Sequence, residues 1–441
     1  MDIIVMVAQI LLSISILVGI HEFGHLLAAK YFGMRVEQFS IGFPPKLFKF
    51  KYGETEYALS AIPLGGFVKI SGMIDESLDT EKLKEEPQHF EFRAKPAWQR
   101  LIVMLGGIIV NVGAGVLIFI LITFLWGDKY VAKDMVNENG GIYAQELARE
   151  IGLQTGDQVI KINGQDYYDF MEVFNPANFL TDNPFYTVKR GDKVLDVAIP
   201  ADFLEHFSDK NVEFVTLRVP AIVGEISKNS LADRIGLQVD DQFIEMEGVP
   251  VSYTDEVRTI MAGLVSDSIR FSILRGQEKI NFSESLQGDS VIGFGASVSL
   301  LKSYEKSINY SLGESLSLGT SRAFGIVFLQ IKAFGKMFSG DLNVRKSLSG
   351  PIGIAQAYGT EWDWHRFWRM TGLLSMVLAF MNLLPIPALD GGHVMFLSAE
   401  IISGRKPSDK FLEVAQKIGM IILLALMVFI FSNDILKLFN I

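Results

Sequence analysis

Residues 3–25 read IIVMVAQILLSISILVGIHEFGH, an uncharged apolar run that leads directly into two histidines and a glutamate. As a helix, residues 3–20 would be about 27 Å long, close to the ~30 Å hydrocarbon core of a bilayer. The run lacks a basic N-terminal region and a small-residue cleavage site, so we interpret it as a membrane span rather than a removable signal peptide. The sequence therefore predicts that His21-Glu22-Phe23-Gly24-His25 lies at one end of a transmembrane helix.

Three more apolar stretches predict three further spans. They are 101–126, in which Gly106, Gly107, Gly113 and Gly115 allow close helix packing; 370–389, followed by 391–399 and broken by Pro385 and Pro387; and 418–433. The segment 30–100 contains 11 Lys or Arg residues, and the loop 401–411 contains three more. The positive-inside rule places both loops in the cytoplasm, so residues 127–367 and both termini are predicted to lie outside.

The composition excludes several classes of protein. The 441 residues carry 40 Lys and Arg against 50 Asp and Glu, a net charge of -10, which argues against a nucleic-acid-binding protein. Cysteine is absent, which excludes disulfides, a thiol nucleophile and a thiolate metal site. The length predicts two to four domains.

The predicted outer region contains an internal repeat. Residues 147–165 (LAREIGLQTGDQVIKINGQ) and 231–249 (LADRIGLQVDDQFIEMEGV) are identical at 10 of 19 positions. Each is followed by two alternating segments joined at a glycine, at 185–199 and 269–283, which predicts two strands and a tight turn. This pattern resembles PDZ domains, which bind peptides at an open sheet edge, although two β-rich spacer domains without a ligand would also fit.

The stretch 307–340 follows the repeats and is less apolar than the spans. Glu314, Arg322, Lys332 and Lys336 interrupt its pattern. We interpret it as an amphipathic helix at the membrane surface, with a fifth span as the alternative.

The HExxH spacing predicts a metal site. Histidines at positions i and i+4 lie on one face of a helix and can bind one zinc ion, while Glu22 can take a proton from the attacking water. Ligands on the same side of one helix cannot take the two axial positions of a haem iron. The alternative is a polar helix end in the headgroup region.

A third ligand is expected in the broken third span, which reads Asn382-Leu-Leu-Pro-Ile-Pro-Ala-Leu-Asp390-Gly-Gly. Asp390 is a lone carboxylate in an apolar run, and two prolines beside it interrupt regular helix hydrogen bonding. Irregular backbone at membrane depth must be buried in protein or line a wet cavity. Asp390 could instead cap the following helix, and His393 is the competing ligand.

HEFGH in the first span, N-x-x-P-x-P-x-L-D-G-G in the third and a PDZ-like insertion between spans two and three resemble the site-2 proteases, in particular the regulator of sigma-E protease group with two tandem PDZ domains. The resemblance implies that His21, His25 and Asp390 bind Zn²⁺ and that Glu22 is the general base. It also implies that Asn382, Pro385 and Pro387 bind the substrate, and that residues 41–72 form a membrane-reentrant β-hairpin. SGPIGIA at 349–355 also resembles a segment of this family.

The predicted fold is therefore a polytopic α-helical membrane protein with four transmembrane helices, two inserted PDZ-like α+β domains and a membrane-associated β-hairpin. The predicted segments are 1–30, the first span; 31–97, the inner loop with the hairpin; 98–127, the second span; 128–215 and 216–300, the PDZ-like domains; 301–367, the surface helices; 368–400, the broken third span; and 411–436, the fourth span.

The predicted function is an intramembrane zinc metalloprotease of a bacterial inner membrane. By the same resemblance, its substrates would be single-pass membrane proteins such as anti-sigma factors or signal-peptide remnants, and the PDZ domains, on the outer side, would gate their access. The alternatives are a catalytically silent, membrane-anchored PDZ adaptor and a metal transporter, although few polar residues in the spans suit transport.

Overall fold

A computed structural model describes residues 2–73, 86–200, 202–203, 214–289, 291–297, 303–340 and 350–438. These residues form two compact units, the first within 1–127, 309–335 and 344–441 and the second within 128–308 and 336–343. Lys82 and Lys84, two of the basic residues counted in 30–100, and Ser349 of the SGPIGIA segment lie outside the described residues.

The helices and strands are numbered along the chain. The helices are α1 (Asp2–Tyr31), α2 (Ala97–Trp126), α3 (Lys133–Glu138), α4 (Glu146–Glu150), α5 (Leu231–Arg234), α6 (Thr254–Ala262), α7 (Leu312–Ser339), α8 (Pro351–Tyr358), α9 (Trp364–Leu383), α10 (Asp390–Ser403) and α11 (Asp409–Leu438). The strands are β1 (Val36–Tyr52), β2 (Thr55–Ile70), β3 (Asp128–Val131), β4 (Ile142–Ala144), β5 (Gln158–Ile162), β6 (Phe185–Arg190), β7 (Lys193–Ala198), β8 (Val215–Leu217), β9 (Val223–Ile226), β10 (Gln242–Met246), β11 (Val249–Pro250), β12 (Ser268–Arg275), β13 (Glu278–Ser285), β14 (Phe294–Ala296) and β15 (Glu305–Ile308).

Within the described residues, three helices are long and apolar enough to cross a membrane. They cover Ile3–Tyr31, Ala97–Trp126 and Lys410–Leu436, in α1, α2 and α11. The expected third span is divided into two shorter helices, α9 and α10, separated by residues 384–389. Its assignment as a membrane span, and with it the count of four spans, stays a prediction.

Glycines allow the helices of the first unit to pack closely. A Cβ at Gly106 would lie 2.6 Å from the carbonyl oxygen of Gly24, so α1 and α2 cross with their backbones in contact. A Cβ at Gly115 would lie 2.5 Å from Met376 Sδ, which brings α9 against α2 in the same way. Among the described residues, by contrast, a Cβ at Gly113 would meet no atom within 4 Å beyond the neighbouring backbone of its own helix. The predicted close packing thus depends on three of the four glycines.

The break between α9 and α10 is held by close backbone contacts. Gly391 and Gly392 lie against the backbone of the preceding loop, and a Cβ at Gly392 would come within 2.6 Å of Ile386 O. Gly419 of α11 lies directly on Pro387. Ala388 has φ +78°, a conformation that strains a residue with a side chain. These contacts fix the loop that leads into Asp390.

The β1–β2 hairpin folds on itself to form a small sheet. Residues 36–41 pair with 66–70 on one side and, from Gln38 to Ile41, with 56–59 on the other, while 46–52 pairs with 55–60. The strand order is therefore 66–70, 36–41, 56–59 and 46–52. Among the described residues, segment 66–70 pairs only with 36–41, so its second edge is open.

Helix α7 packs one face against α2 and α9 of the first unit. Its buried residues are Ser315, Gly319 and Ala323, and Ala323 shares a cluster with Phe119 of α2 and Met376 of α9. Helix α7 is not among the three helices that qualify as membrane spans. Its predicted location at the membrane surface stays a prediction.

The second unit contains two halves with separate hydrophobic cores. One core surrounds Ile142, Leu153 and Tyr186, and the other surrounds Leu237, Phe243 and Ile273. The sheets have the orders β5-β6-β7, β4-β8, β11-β10-β12-β13, β14-β9 and β15-β3. The predicted domain boundary between 215 and 216 falls inside β8, which pairs with β4 of the first half.

The same buried ion pair occurs in both halves. Asp157 and Asp241 are 0% and 1% exposed. Arg190 holds Asp157 through two bonds of 2.7 Å, and Arg275 holds Asp241 through bonds of 2.8 and 2.7 Å. Both aspartates belong to the repeated sequence, where Asp is one of the identical positions. A buried carboxylate requires such a bidentate partner, so each half depends on its arginine.

The two halves meet at Arg218, which follows β8. Its guanidinium lies 3.8 Å from the centre of the Tyr253 ring and donates to Asp255 Oδ2 at 2.9 Å and to Glu256 Oε1 at 2.7 Å. One cation thus bridges the end of the first half and the start of α6 in the second.

Candidate metal centre

The helical pitch of α1 places His21 and His25 side by side. Their ring centroids lie 4.8 Å apart with the planes at 85°, and their Nε2 atoms are 3.3 Å apart. The two residues are only 8% and 7% exposed. Both Nε2 atoms therefore converge on one point beside the helix, as the HExxH spacing predicts.

Asp390, the first residue of α10, completes the group. Its Oδ2 lies 3.1 Å from His21 Nε2 and 3.4 Å from His25 Nε2. The N-cap position of α10 is Leu389, so Asp390 is not the cap of this helix. The break after Leu383 turns the chain so that α10 begins facing the two histidines.

The three residues fit a zinc ion. Four ligands at about 2.0–2.1 Å from a tetrahedral zinc lie about 3.3 Å from one another, which matches the three spacings of the group. Asp390 Oδ2 is buried and has no hydrogen-bond partner, so its lone pairs are available to a cation. Among the described residues, His21, His25 and Asp390 form the group that could hold a metal ion, and His393, the competing candidate, is not part of it.

Helix α2 and Asn382 form the next layer around the histidines. His25 Nδ1 lies 2.8 Å from Val103 O, Asn111 Nδ2 lies 3.2 Å from His21 Nδ1, and Asn382 Nδ2 lies 3.4 Å from His21 Nε2. Gly107 of α2 leaves room for both rings, since a Cβ there would lie 2.5 Å from His25 Nε2.

Sequence reasoning missed the contribution of α2 to the site. Asn111 is a lone amide in an apolar run, which was a usable signal because a polar side chain in a bilayer is costly unless it has a partner. Val103 acts through its backbone carbonyl, which no side-chain pattern can reveal.

A cavity of 660 Å³ opens beside the metal group. Its lining includes Glu22, the two histidines, Asn382, Asp390 and His393 from the helices. Residues 65–70 of β2, the strand with the open edge, line it as well. The cavity thus combines a candidate metal site, a carboxylate and the edge segment 66–70 of the small sheet.

Glu22 lines this cavity, whereas Pro385 and Pro387 are not among its lining residues. Glu22 is half-buried, and Gly66 lies so close that a Cβ there would be 3.2 Å from Glu22 Cγ. Pro385 and Pro387 lie in the loop before α10, whereas the cavity lining includes Ala388 and Leu389 of that loop. Their contact with a substrate stays a prediction.

Comparison with known proteins supports the assignment of a metal site. Residues 9–426 match the sequence model of peptidase family M50. A putative zinc metalloprotease of Pasteurella multocida is 30% identical, with 98% of each chain covered. The regulator of sigma E protease of Haemophilus influenzae is 28% identical over 97% of this chain and 98% of its own, and regulator of sigma-E protease RseP of Escherichia coli is 28% identical over 98% of each.

Proposed function

The chain belongs to peptidase family M50, and we propose that it is a zinc metalloprotease that hydrolyses a peptide bond inside the transmembrane segment of single-pass membrane proteins. The observation that carries this proposal is the meeting of His21, His25 and Asp390 beside Glu22 in a cavity whose wall includes an open strand edge. An adaptor without catalysis would have no use for this ligand group.

Zinc would be held by His21 Nε2, His25 Nε2 and Asp390 Oδ2, which leaves one position of a tetrahedron open. A bound zinc ion lowers the pKa of water toward ~7 and polarises the scissile carbonyl. Glu22 is the general base: its carboxylate accepts the proton of the attacking water and then delivers it to the nitrogen of the leaving amine. Asn382, which lines the same cavity, donates its amide N–H to the substrate carbonyl or to the developing oxyanion.

Segment 66–70 binds the substrate by strand addition. A helical peptide bond is shielded by its own hydrogen bonds, so a transmembrane substrate must unwind before attack. An open strand edge offers backbone hydrogen bonds to the unwound segment, at the wall of the cavity that contains Glu22.

The family and the distribution of charge support the biological setting that we propose. The protein lies in a bacterial inner membrane with its termini and the two halves of the second unit, as PDZ domains, on the outer side. The PDZ domains admit substrates whose outer domain has been trimmed. Two relatives are named regulators of sigma-E protease, which favours anti-sigma factors as substrates, and signal-peptide remnants share the required chemistry.

The test compares purified full-length wild type and Glu22→Gln, each supplied with zinc and a single-span substrate that lacks its outer domain. Because general acid–base catalysis contributes about 10²–10⁴-fold, we expect the mutant rate to fall by that factor while both proteins hold one zinc ion per chain. Mass spectrometry locates the cut within the span. Glu138→Gln, the same change at an exposed residue of the second unit, should leave the rate unchanged.

Two results would contradict the proposal. One is a zinc-loaded wild type that cuts none of several membrane spans, which would favour the adaptor. The other is a Glu22→Gln variant that cuts as fast as the wild type.

A further inference from the structure

Asn111 lies at the centre of the apolar helix α2 and is completely buried. Its Nδ2 is placed 3.2 Å from His21 Nδ1, while its Oδ1 is buried and has no hydrogen-bond partner. A buried amide in a membrane helix is costly, and this one is in contact with a candidate metal ligand. Because burying this amide is costly, we expect its contact with His21 to serve the metal site.

His25 shows what a ligating histidine needs on its second nitrogen. Its Nδ1 lies 2.8 Å from Val103 O, and a backbone carbonyl can only accept a hydrogen bond. The proton of neutral His25 is therefore on Nδ1, and the lone pair on Nε2 points toward His21 and Asp390. The surroundings of His25 thus select the tautomer that binds a metal.

His21 must satisfy the same condition. If Nε2 ligates the metal, Nδ1 carries the proton and needs an acceptor. The nitrogen and oxygen of an asparagine amide exchange places on a 180° rotation, and their assignment is not observed directly. Because Asn111 Oδ1 makes no hydrogen bond as placed, this rotation breaks none at that atom.

We propose that Asn111 is a positioning residue whose side-chain carbonyl accepts the Nδ1–H of His21, fixing the tautomer and ring orientation that present Nε2 to the metal. This inference rests on the proposed metal site. It extends that site by one residue of α2 that does not touch the metal or the substrate.

The backbone around Asn111 supports this role. Val103, Gly107 and Asn111 follow one another at four-residue spacing and form one stripe of α2. The Val103 carbonyl points toward the C-terminal end of α2 and the Asn111 side chain leans toward its N-terminal end, so both approach the two rings over Gly107. Ser375 of α9 donates to Asn111 O at 2.8 Å and holds this turn in place.

The test measures zinc affinity in the purified full-length protein by competition with a chelator. Loss of an outer-shell partner of a metal ligand typically weakens binding 10–100-fold, so we expect that loss for Asn111→Leu. Asn111→Asp keeps an acceptor and loses the donor, so it should bind zinc at least as tightly as the wild type. Asn433→Leu, the same change at a buried asparagine of α11, should leave the affinity unchanged.

A cobalt-substituted sample gives a second measurement, which would not change if the role of Asn111 were purely structural. The visible ligand-field spectrum of bound Co²⁺ should change in Asn111→Leu and not in Asn111→Asp. If Asn111→Leu does not fold, the affinity of Asn111→Asp decides alone.

Each outcome supports or overturns the inference. Wild-type affinity in Asn111→Leu, or weak binding in Asn111→Asp, would refute the acceptor role while leaving the protease proposal intact. A wild type that binds no zinc, or whose zinc binding is unaffected by His21→Ala, would refute the metal site and this inference together.

Discussion

At the scale of single residues, the site depends on a glycine, Gly107, as much as on the side chains that meet there. Gly107 lies between the two histidine rings, where a Cβ would be 2.5 Å from His25 Nε2 and 2.6 Å from His21 Cε1. Neither ring can move far, because Val103 and Asn111 hold their other nitrogens. A glycine is therefore required here for space and not for backbone conformation.

Gly107→Ala should displace both rings and impair the site. A misplacement of about 1 Å can cost about 100-fold in catalysis, so we expect a loss of that order in kcat/KM and a weaker hold on zinc. Zinc content after dialysis and cleavage of a single-span substrate measure the two effects. Gly113→Ala is the matched control, since nothing lies within 4 Å of that position. Full zinc content in Gly107→Ala would show that the rings accommodate the methyl group.

The three residues that meet in the candidate metal group could be predicted from the sequence, and their surroundings could not. His21, His25 and Asp390 were recognisable because charged or ligating groups in apolar runs need a partner. The contacts of Val103 and Asn111 depend on how far α1 is shifted along α2, which neither helix encodes by itself. His393 resembled a ligand by spacing, and only the direction of α10 after the loop separates it from Asp390.

At the scale of elements, backbone amides at the start of α8 donate hydrogen bonds to a buried carboxylate of α11. Asp434 is 4% exposed and accepts hydrogen bonds from the amides of Gly350 at 2.8 Å, Ile352 at 2.9 Å and Gly353 at 3.3 Å. Pro351 has no amide to donate, and a Cβ at Gly350 would lie 2.6 Å from Asp434 Oδ2. This contact explains most of the SGPIGIA segment, which the sequence left without a role.

Asp434→Ala should detach the start of α8 from α11. Hydrogen bonds to a charged group contribute about 1.5–3 kcal/mol, so we expect the free energy of unfolding to fall by about 2–3 kcal/mol. Asp363→Ala removes an exposed cap of α9, which accepts from Arg366 N at 2.9 Å, and should cost about 1 kcal/mol. Unfolding titrations in detergent compare the two, and equal losses would contradict the role given to burial.

The elements themselves were predictable to different degrees. The break in the third span followed from Pro385 and Pro387, and it lies at residues 384–389. The hairpin was implied by the family resemblance, whereas its folding into a four-segment sheet was not predicted. That fold depends on bends near 42–45 and 60–65, where the pairing register shifts. An alternating pattern marks the two faces of a strand and does not say where the strand bends.

At the scale of the whole molecule, Arg218 makes one of the contacts that connect the two halves of the second unit. Partial burial raises the pKa of the Glu256 carboxyl, but hydrogen bonds from the Ser252 and Tyr253 amides and from Arg218 lower it more, so the pKa lies below its ordinary value. A depressed carboxyl pKa stabilises the folded form above the ordinary pKa. That stabilisation is lost as the pH falls below about 4.3.

We therefore expect the distance between the two halves to vary more widely in acid than near neutral pH. Because the chain contains no cysteine, spin labels attach only where a cysteine is introduced. Asp192→Cys and Gln277→Cys introduce one labelling site in a turn of each half. The measured distance distribution should be narrow at pH 6 and broader at pH 3.5. Glu256→Gln should already be broader at pH 6 and change less on acidification, while Glu150→Gln should behave like the wild type. A distribution in the wild type that does not change with pH would refute this role for Glu256.

The residues of the candidate metal group come from α1 and α10, which lie far apart in the sequence. A ribosome makes His25 365 residues before Asp390. While the intervening stretch is made, the two histidines lack the third residue of the candidate metal group. The proposed protease would therefore become active only after both halves of the second unit have been made, which would protect the nascent chain and its neighbours from premature cleavage.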